Sequence, residues 1–558
     1  MTDMKRSVLS AALAGCTASS TLPPARFVNA PAVTVVDDRR DMPKPFPAER
    51  FYKSLYIFDS SIERRTTRAM RLPSEGRALG VNAIDEVPNS TWFTNRIGTR
   101  ALSPDEIAIG PITEGPEQHL PWTIVSTKVG GTSLGLIIHD ARGVKYELKF
   151  DASNAPPELE TGTHVVVNRL LWACGYNVPD DRIVYVRRSD LVLSRDAVVK
   201  DGFGESQRPY RRDDLDRDLQ GVHFEADGRL RVLASRWLDG KVVSSIDQGL
   251  READPNDRIP HERRRDLRGA SAIFAWVDHV DANASNFLDA WVADPADPRR
   301  HYVEHYAIDF GRSLGAMEEL NHDHRPGYAY NLDPPKILVS LFTLGIAPRP
   351  WEGRKVVAIR GVARGFGVAS FDPGGWRPGF PWTPFVTADR FDNFWGTKII
   401  ARFTPAQIRS AVLAGQFSDP RAVEYIADTL LARARATEAY WFARVNPLDQ
   451  LAIASAPAGA SLCFDDLAIT TGNGAALTTR YTISAFDRNA RPLGVAASLG
   501  AASSGRTCTA PLTLPAADDG YTIVEITTTR PGFSGSTLVH LARDPRTQMP
   551  RVIGIWRV

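Results

Sequence analysis

The chain has 558 residues, 43% hydrophobic and 24% charged, with 67 basic against 65 acidic side chains and a formal net charge of +2. That length exceeds one ordinary domain and predicts two or three units, each large enough to bury its own core. The near-balance of charge, with no long run of one sign, gives no footprint for nucleic acid and no polybasic membrane anchor.

At the start, Lys5 and Arg6 precede an apolar run from Val8 to Ala14 that ends at Leu13-Ala14-Gly15-Cys16. Charge, apolar run and small residues before a cysteine come in the order of a bacterial lipoprotein signal, which this segment resembles. Residues 1–16 are therefore read as a signal peptide, with Cys16 lipidated as the mature N-terminus. No later stretch is apolar for long enough to span a bilayer, so the expected anchor is the lipid alone, in the cell envelope on the periplasmic side or in the outer membrane. Residues 17–50 carry Pro23, Pro24, Pro31, Pro43, Pro45 and Pro47 with little periodicity and are expected to be a tether. Residues 51–120 alternate short apolar clusters with turn formers and read as an N-terminal extension packed on the next domain.

From Trp122 the pattern sharpens. Thr123 to Lys128 reads as a strand, Gly130-Gly131-Thr132-Ser133-Leu134-Gly135 as a glycine-rich turn, and Leu136 to His139 as a returning strand. Val144 to Phe150 alternates, with Tyr146, Leu148 and Phe150 on one face and Lys145, Glu147 and Lys149 on the other. A helix follows from about Thr161 to Cys174, stopped by Gly175 and Pro179, with Glu160, His164, Val167 and Leu171 on one stripe. Strands at Arg182 to Arg187 and Arg229 to Ala234, separated by a charged insertion over 195–228, complete a small β-rich unit over 121–238.

Residues 239–447 read as a larger, mainly helical unit with long loops. Asp254-Pro255-Asn256-Asp257 is a turn, and from Pro260 a long helix carries Leu267, Ala270, Phe274 and Val277 into the stretch His279-Val280-Asp281-Ala282-Asn283-Ala284-Ser285-Asn286. Thr404-Pro405-Ala406-Gln407 and Asp419-Pro420 begin two further helices. After Pro447 the composition turns to Ala, Thr, Ser and Gly with β patterning, and residues 455–558 are expected to form a β-sandwich. Of the cysteines besides Cys16, Cys174 lies in an apolar helical run, while Cys463 and Cys508 share the sandwich, where an exported protein can pair them.

Asp281, Asn286 and Asp309 are oxygen donors of the kind that hold a hard cation beside a phosphate. The spacing His279-x-Asp281-x-x-x-x-Asn286, followed by Asp309-Phe310-Gly311, resembles the catalytic and metal-binding loops of the protein-kinase-like superfamily. Lys149 on a third strand, the glycine turn before it and the helix after it fit that fold's small lobe. The atypical bacterial and exported members, of HipA and spore-coat type, are the nearer likeness, since Val280 stands where regulated kinases have arginine and no Ala-Pro-Glu follows Asp309. The resemblance implies an α+β, bilobal protein-kinase-like fold with a C-terminal all-β sandwich, binding ATP and Mg2+ in the cleft. It implies Asp281 and Lys149 as catalytic residues and Asn286 and Asp309 as magnesium ligands. Gly130, Gly131 and Gly135 would lie over the phosphates, and either Glu160 or His164 would be the helix partner of Lys149. The expected function is phosphoryl transfer to an unknown protein or small-molecule acceptor. The alternatives are a pseudokinase scaffold that uses the sandwich for contacts, and transfer of AMP. No G-x-S-x-G, H-E-x-x-H or paired C-x-x-C motif is present, which lowers the hydrolase and zinc-site readings.

Overall fold

The structure, a computed structural model, describes residues 26–47, 51–70, 76–129, 133–202, 204–352, 356–456 and 459–558. The expected signal with Cys16, the first part of the tether, and Gly130 and Gly131 lie outside the described residues.

Residues 26–47, expected to be a tether, instead run along the body of the protein. Arg26 stacks on Trp556 at 3.6 Å, Phe27 meets His540 edge-on, and Asn29 accepts from Arg551 at 2.7 Å. Further along, Val35 bridges to Asn89, and Met42 and Phe46 bury against Val243, Trp291 and Val303. The prolines thus shape a fixed strap, because extended backbone without internal hydrogen bonds serves a strap as well as a linker. The extension that follows forms α1 (Lys53–Phe58), α2 (Arg64–Met70) and α3 (Pro104–Ile109). Its Trp92, Phe93, Ile97, Leu102 and Ile107 enter the largest apolar core.

The meander expected from Trp122 onward is present as β1 (Trp122–Thr127), β2 (Gly135–His139) and β3 (Lys145–Phe150), antiparallel throughout. Next come α4 (Leu159–Cys174) and β4 (Asp181–Arg187). Gly175 ends α4 with φ of 131°, and a Cβ there would fall 2.4 Å from the Phe93 ring, so both backbone and packing demand glycine. The charged insertion is structured: β5 (Leu191–Lys200) pairs parallel to β1, β6 (Ser206–Pro209) pairs with β5, and α5 (Arg212–Gln220) follows. β7 (Arg229–Arg236) then enters between β4 and β3, giving a seven-stranded sheet in the order β4-β7-β3-β2-β1-β5-β6. Trp122, Ile124, Tyr146, Leu148, Phe150 and Val232 fill its core.

In the next unit β8 (Lys241–Ser245) precedes α6 (Arg265–Trp276). The long helix expected from Pro260 is broken: His261–Arg263 makes one 3-10 turn, and Arg264 is extended where it bridges to Leu79 of the extension. After α6 come β9 (Phe287–Asp294) and β10 (Asp297–Ala307), a hairpin whose sheet runs β10-β9-β8, in a region expected to be mainly helical. The rest is helical: α7 (Ala316–Asn321), α8 (Pro334–Phe342), α9 (Thr383–Thr387), α10 (Arg390–Ile400), α11 (Pro405–Leu413) and α12 (Pro420–Phe442). No helix among the described residues is long and apolar enough to cross a membrane.

The C-terminal strands begin earlier than expected, with β11 (Leu448–Ala456) and β12 (Gly459–Asp466), then α13 (Leu467–Thr470), β13 (Arg480–Asp487), β14 (Ala497–Gly500), β15 (Arg506–Cys508), β16 (Thr522–Arg530), β17 (Phe533–Arg543) and β18 (Pro550–Arg557). They form sheets ordered β11-β12-β15 and β14-β13-β16-β17-β18, which enclose Leu448, Phe464, Tyr481, Val524, Ile526 and Leu541. Cys463 and Cys508 face each other across β12 and β15 and are joined by a disulfide.

A chain of buried charges locks this sandwich to the helices. Arg557 of β18 donates to Asp85 of the extension at 2.9 Å and lies 3.6 Å from Asp449 of β11. Lys398 of α10 meets Glu86 and Asp449, and Arg265 of α6 joins Asp85 at 3.3 Å to Asp392 at 2.7 Å. Removing one member leaves uncompensated charge in a dry site. Arg557→Met is expected to destabilise the protein by about 3 kcal/mol, measured by urea unfolding followed in both the sandwich and the helical unit; a loss confined to the sandwich would contradict the lock.

Candidate functional site

Asp151, directly after β3, accepts the backbone N–H groups of Glu158, Glu160 and Thr161 and the Thr161 hydroxyl at 2.7 Å. One carboxylate therefore caps the first turn of α4 and fixes that turn two residues beyond Lys149. Arg231 of β7, 3.7 Å from Asp151, also donates to the carbonyls of Gly415 and Gln416, tying the seven-stranded sheet to the loop between α11 and α12.

In the second unit, α6 ends in carbonyls that Arg433 of α12 satisfies, donating to Ala275 at 2.7 Å and Trp276 at 2.9 Å. The chain turns through Asp278, whose φ is 51° and whose carboxylate accepts from the Trp376 indole at 2.9 Å. Asn286 then donates its side-chain N–H to the Asp281 carbonyl at 2.8 Å, closing the loop on itself. Asn286 immediately precedes β9 and Asp309 follows β10 by two residues. The pairing of Phe287 with Ala307 and the bond from Ile308 N–H to the Asn286 carbonyl at 3.0 Å thus set them side by side. Asp309 has φ of 61° and starts the turn Phe310–Arg312. Phe310 is fully buried between the rings of His164 and His279, which also accepts from or donates to the Ser313 hydroxyl at 2.9 Å.

The two sides meet where Lys149 Nζ donates to Asp309 Oδ1 at 2.7 Å. Burial alone would lower the Lys149 pKa, but Asp309, Glu147 and Glu160 outweigh it and hold the ammonium above the ordinary lysine range. The surrounding protein opposes ionisation of the partly exposed Asp309 too, yet Lys149, His164 and Lys128 keep it well below the usual carboxylate range. Asp281 behaves differently: burial, reinforced by the charge of Asp309, pushes it up to about 6, with Lys53 of α1 and Arg312 pulling the other way. Burial brings His279 down to about 3, so its imidazole is neutral.

Neither expected helix partner hydrogen-bonds Lys149. Glu160 accepts from Ser133 Oγ at 3.0 Å and from Arg312 at 2.9 Å, and it acts on Lys149 only through its field. His164 is held at 2.8 Å by Asp181, whose carboxylate also accepts from Asn168, so it is occupied away from the lysine. Gly135 is a strand residue paired with Lys149 across β2 and β3, not a residue of the turn itself. Ser133, Arg312, Lys53 and Lys128 were not singled out from sequence. Arg312 was within reach of that reading, since it directly follows Asp309-Phe310-Gly311; Lys53 was not, because only the fold brings the extension to Asp281.

Asp309 and Asn286 supply hard oxygen donors, and Asn286 commits its N–H to Asp281, which leaves its side-chain oxygen for a cation. Among the described residues no group of three or more His, Cys, Asp or Glu is placed to hold a metal unaided. Two protein donors with the remainder from phosphate and water suit magnesium, which is seldom caged by protein alone.

No family model and no curated protein matches the chain. Among solved structures, the Rio2 kinase–ADP/Mg2+–phosphoaspartate complex from Chaetomium thermophilum matches at 14% identity, covering 41% of this chain and 60% of that chain with a TM-score of 0.19. A likeness this shallow supports no inference about this chain.

The raised Asp281 pKa makes a signed prediction. A carboxyl that binds its proton more tightly in the native state destabilises the fold above its native pKa, and the penalty disappears below its unfolded value of about 4. In chelator-treated protein, Asp281→Asn should therefore be more stable than wild type by about 1–2 kcal/mol at pH 8, with the gain shrinking as pH falls through 6 and gone by about pH 4. Thermal melts across that range check it; lower stability at pH 8 would contradict the assignment.

Proposed function

We propose that this protein is a kinase-fold phosphotransferase that uses ATP and magnesium. The observation that carries the reading is the convergence of Lys149, Asp281, Asn286 and Asp309, from a sheet, a loop and a hairpin distant in sequence, into one cluster. The architecture supports it: a lysine on the third strand of an antiparallel meander, one helix crossing from that strand to β4, and a second unit that presents the loop and hairpin. Asp309 and Asn286 would hold the magnesium, whose chemistry when bound is to neutralise charge on the transferred phosphoryl group.

The chain's own residues account for the rest. Lys149 brings a permanent positive charge to the phosphates and, in their absence, rests on Asp309. Asp281 is ionised at neutral pH with a pKa of about 6, which suits a group that orients an acceptor hydroxyl and takes up its proton. Asn286 locks the Asp281 backbone, so that carboxylate is preorganised rather than assembled on binding.

Attachment to the cell envelope through Cys16 belongs to the same proposal. The Cys463–Cys508 disulfide supports it, because such bonds persist in oxidising compartments. The engagement of Glu160 by Ser133 and Arg312, in place of Lys149, favours a second reading, a nucleotide-binding scaffold that transfers nothing.

Incubating the protein with Mg-ATP and envelope extract, followed by mass spectrometry, separates these readings. Transfer of phosphate is expected, whereas an added AMP would change the reaction class and no modification would favour the scaffold. Asp309→Ala should lower turnover by about a thousandfold or more with the circular dichroism spectrum unchanged; an equally active variant would remove Asp309 from the site.

A further inference from the structure

We infer that Lys128 is a second phosphate-holding cation of this site, admitted to it by the missing side chain at Gly135. The inference rests on the nucleotide reading above and adds a subsite to it.

The backbone sets the arrangement. Lys128 N–H donates to the Gly135 carbonyl at 2.9 Å, and Gly135 pairs with Lys149, so the three residues form a row from the residue that follows β1 across β2 and β3. A Cβ on Gly135 would fall 2.3 Å from Lys128 Cδ and 2.8 Å from its Cγ. The aliphatic stem of Lys128 therefore lies across the glycine, and a methyl group there would force it aside. Gly135 has no left-handed φ to explain it; what requires glycine is the passage of a lysine.

The cations of this cluster are unequally served. Lys149 has Asp309, and Arg312 has Glu160. Lys128 is half-buried, and its ammonium has no hydrogen bond or ion pair among the described residues. Burial, with Lys149 nearby, lowers its pKa, while Glu147, Asp309 and Glu160 supply the opposing field. A half-buried ammonium held beside another lysine is costly without an anion and favourable with one. A triphosphate presents enough oxygens for both lysines, each acting as a compact point charge.

The test is calorimetric binding of ATP, ADP and adenosine, with magnesium, to the full chain in detergent. Lys128→Met should weaken ATP by about tenfold while leaving adenosine unchanged, Lys128→Arg should restore most of the loss, and Gly135→Ala should reproduce it with the lysine still present. Without nucleotide, Lys128→Met should melt no lower than wild type, since it removes a like charge from beside Lys149. If Lys128→Met binds ATP as wild type does while Asp309→Ala does not, Lys128 is no subsite and the nucleotide reading stands. An equal loss for ATP and adenosine would make Lys128 a structural support and overturn the inference. Wild-type protein that binds no nucleotide would overturn both.

Discussion

The contact between Lys149 and Asp309 is the joint on which the site depends, because it is made by two residues brought in from separate units of the chain. Each end has its own foundation. Lys149 is placed by the register of β3 and by Asp151, which anchors the same strand to α4. Asp309 is placed by the β9–β10 hairpin and by Phe310, which wedges between a histidine of α4 and a histidine of the loop. The pair needs little energy of its own. With the Asp309 side chain 41% exposed, its worth under the proposed function is in holding the two groups at one spot for phosphate and metal to compete for.

Around that joint, parts that look peripheral brace the cleft. The strap over residues 26–47 touches both the sandwich and the β8–β10 sheet, and the extension carries Asp85 and Glu86 into the charge chain shared by α6, α10 and the sandwich. Since α6 delivers the Asp281 loop, a sandwich bolted to α6 through Arg265 and Asp85 helps to fix where that loop sits. Buried ion pairs contribute little net stability but define one geometry sharply, because any shift strands a charge.

The small unit was largely legible in sequence, since alternation at Tyr146, Leu148 and Phe150 and the stop at Gly175 are local signals. The elements that carry Lys149, Asp281, Asn286 and Asp309 were legible too, a strand, a loop and a strand end, because each is a short local pattern. What was lost was non-local. The partner of Glu160 depends on an arginine from the second unit, and that of His164 on Asp181 beyond the end of its helix. Of the β9–β10 hairpin, the sequence showed the strand-like run that ends at Asp309 but not its pairing with β9, which is a contact between separate segments. The strap was missed because proline-rich backbone looks alike in a linker and in a fixed segment; only Phe27 and Met42 finding apolar seats distinguishes them.

The proposed function requires Asp309 to exchange a lysine for a metal, and crystallography tests that exchange directly. Crystals grown with manganese and a non-hydrolysable ATP analogue should show an anomalous peak bonded to Asp309 and the Asn286 side-chain oxygen, with Lys149 moved onto phosphate. Manganese and nucleotide bound elsewhere, or an unbroken Lys149–Asp309 pair in crystals that contain both, would contradict the account.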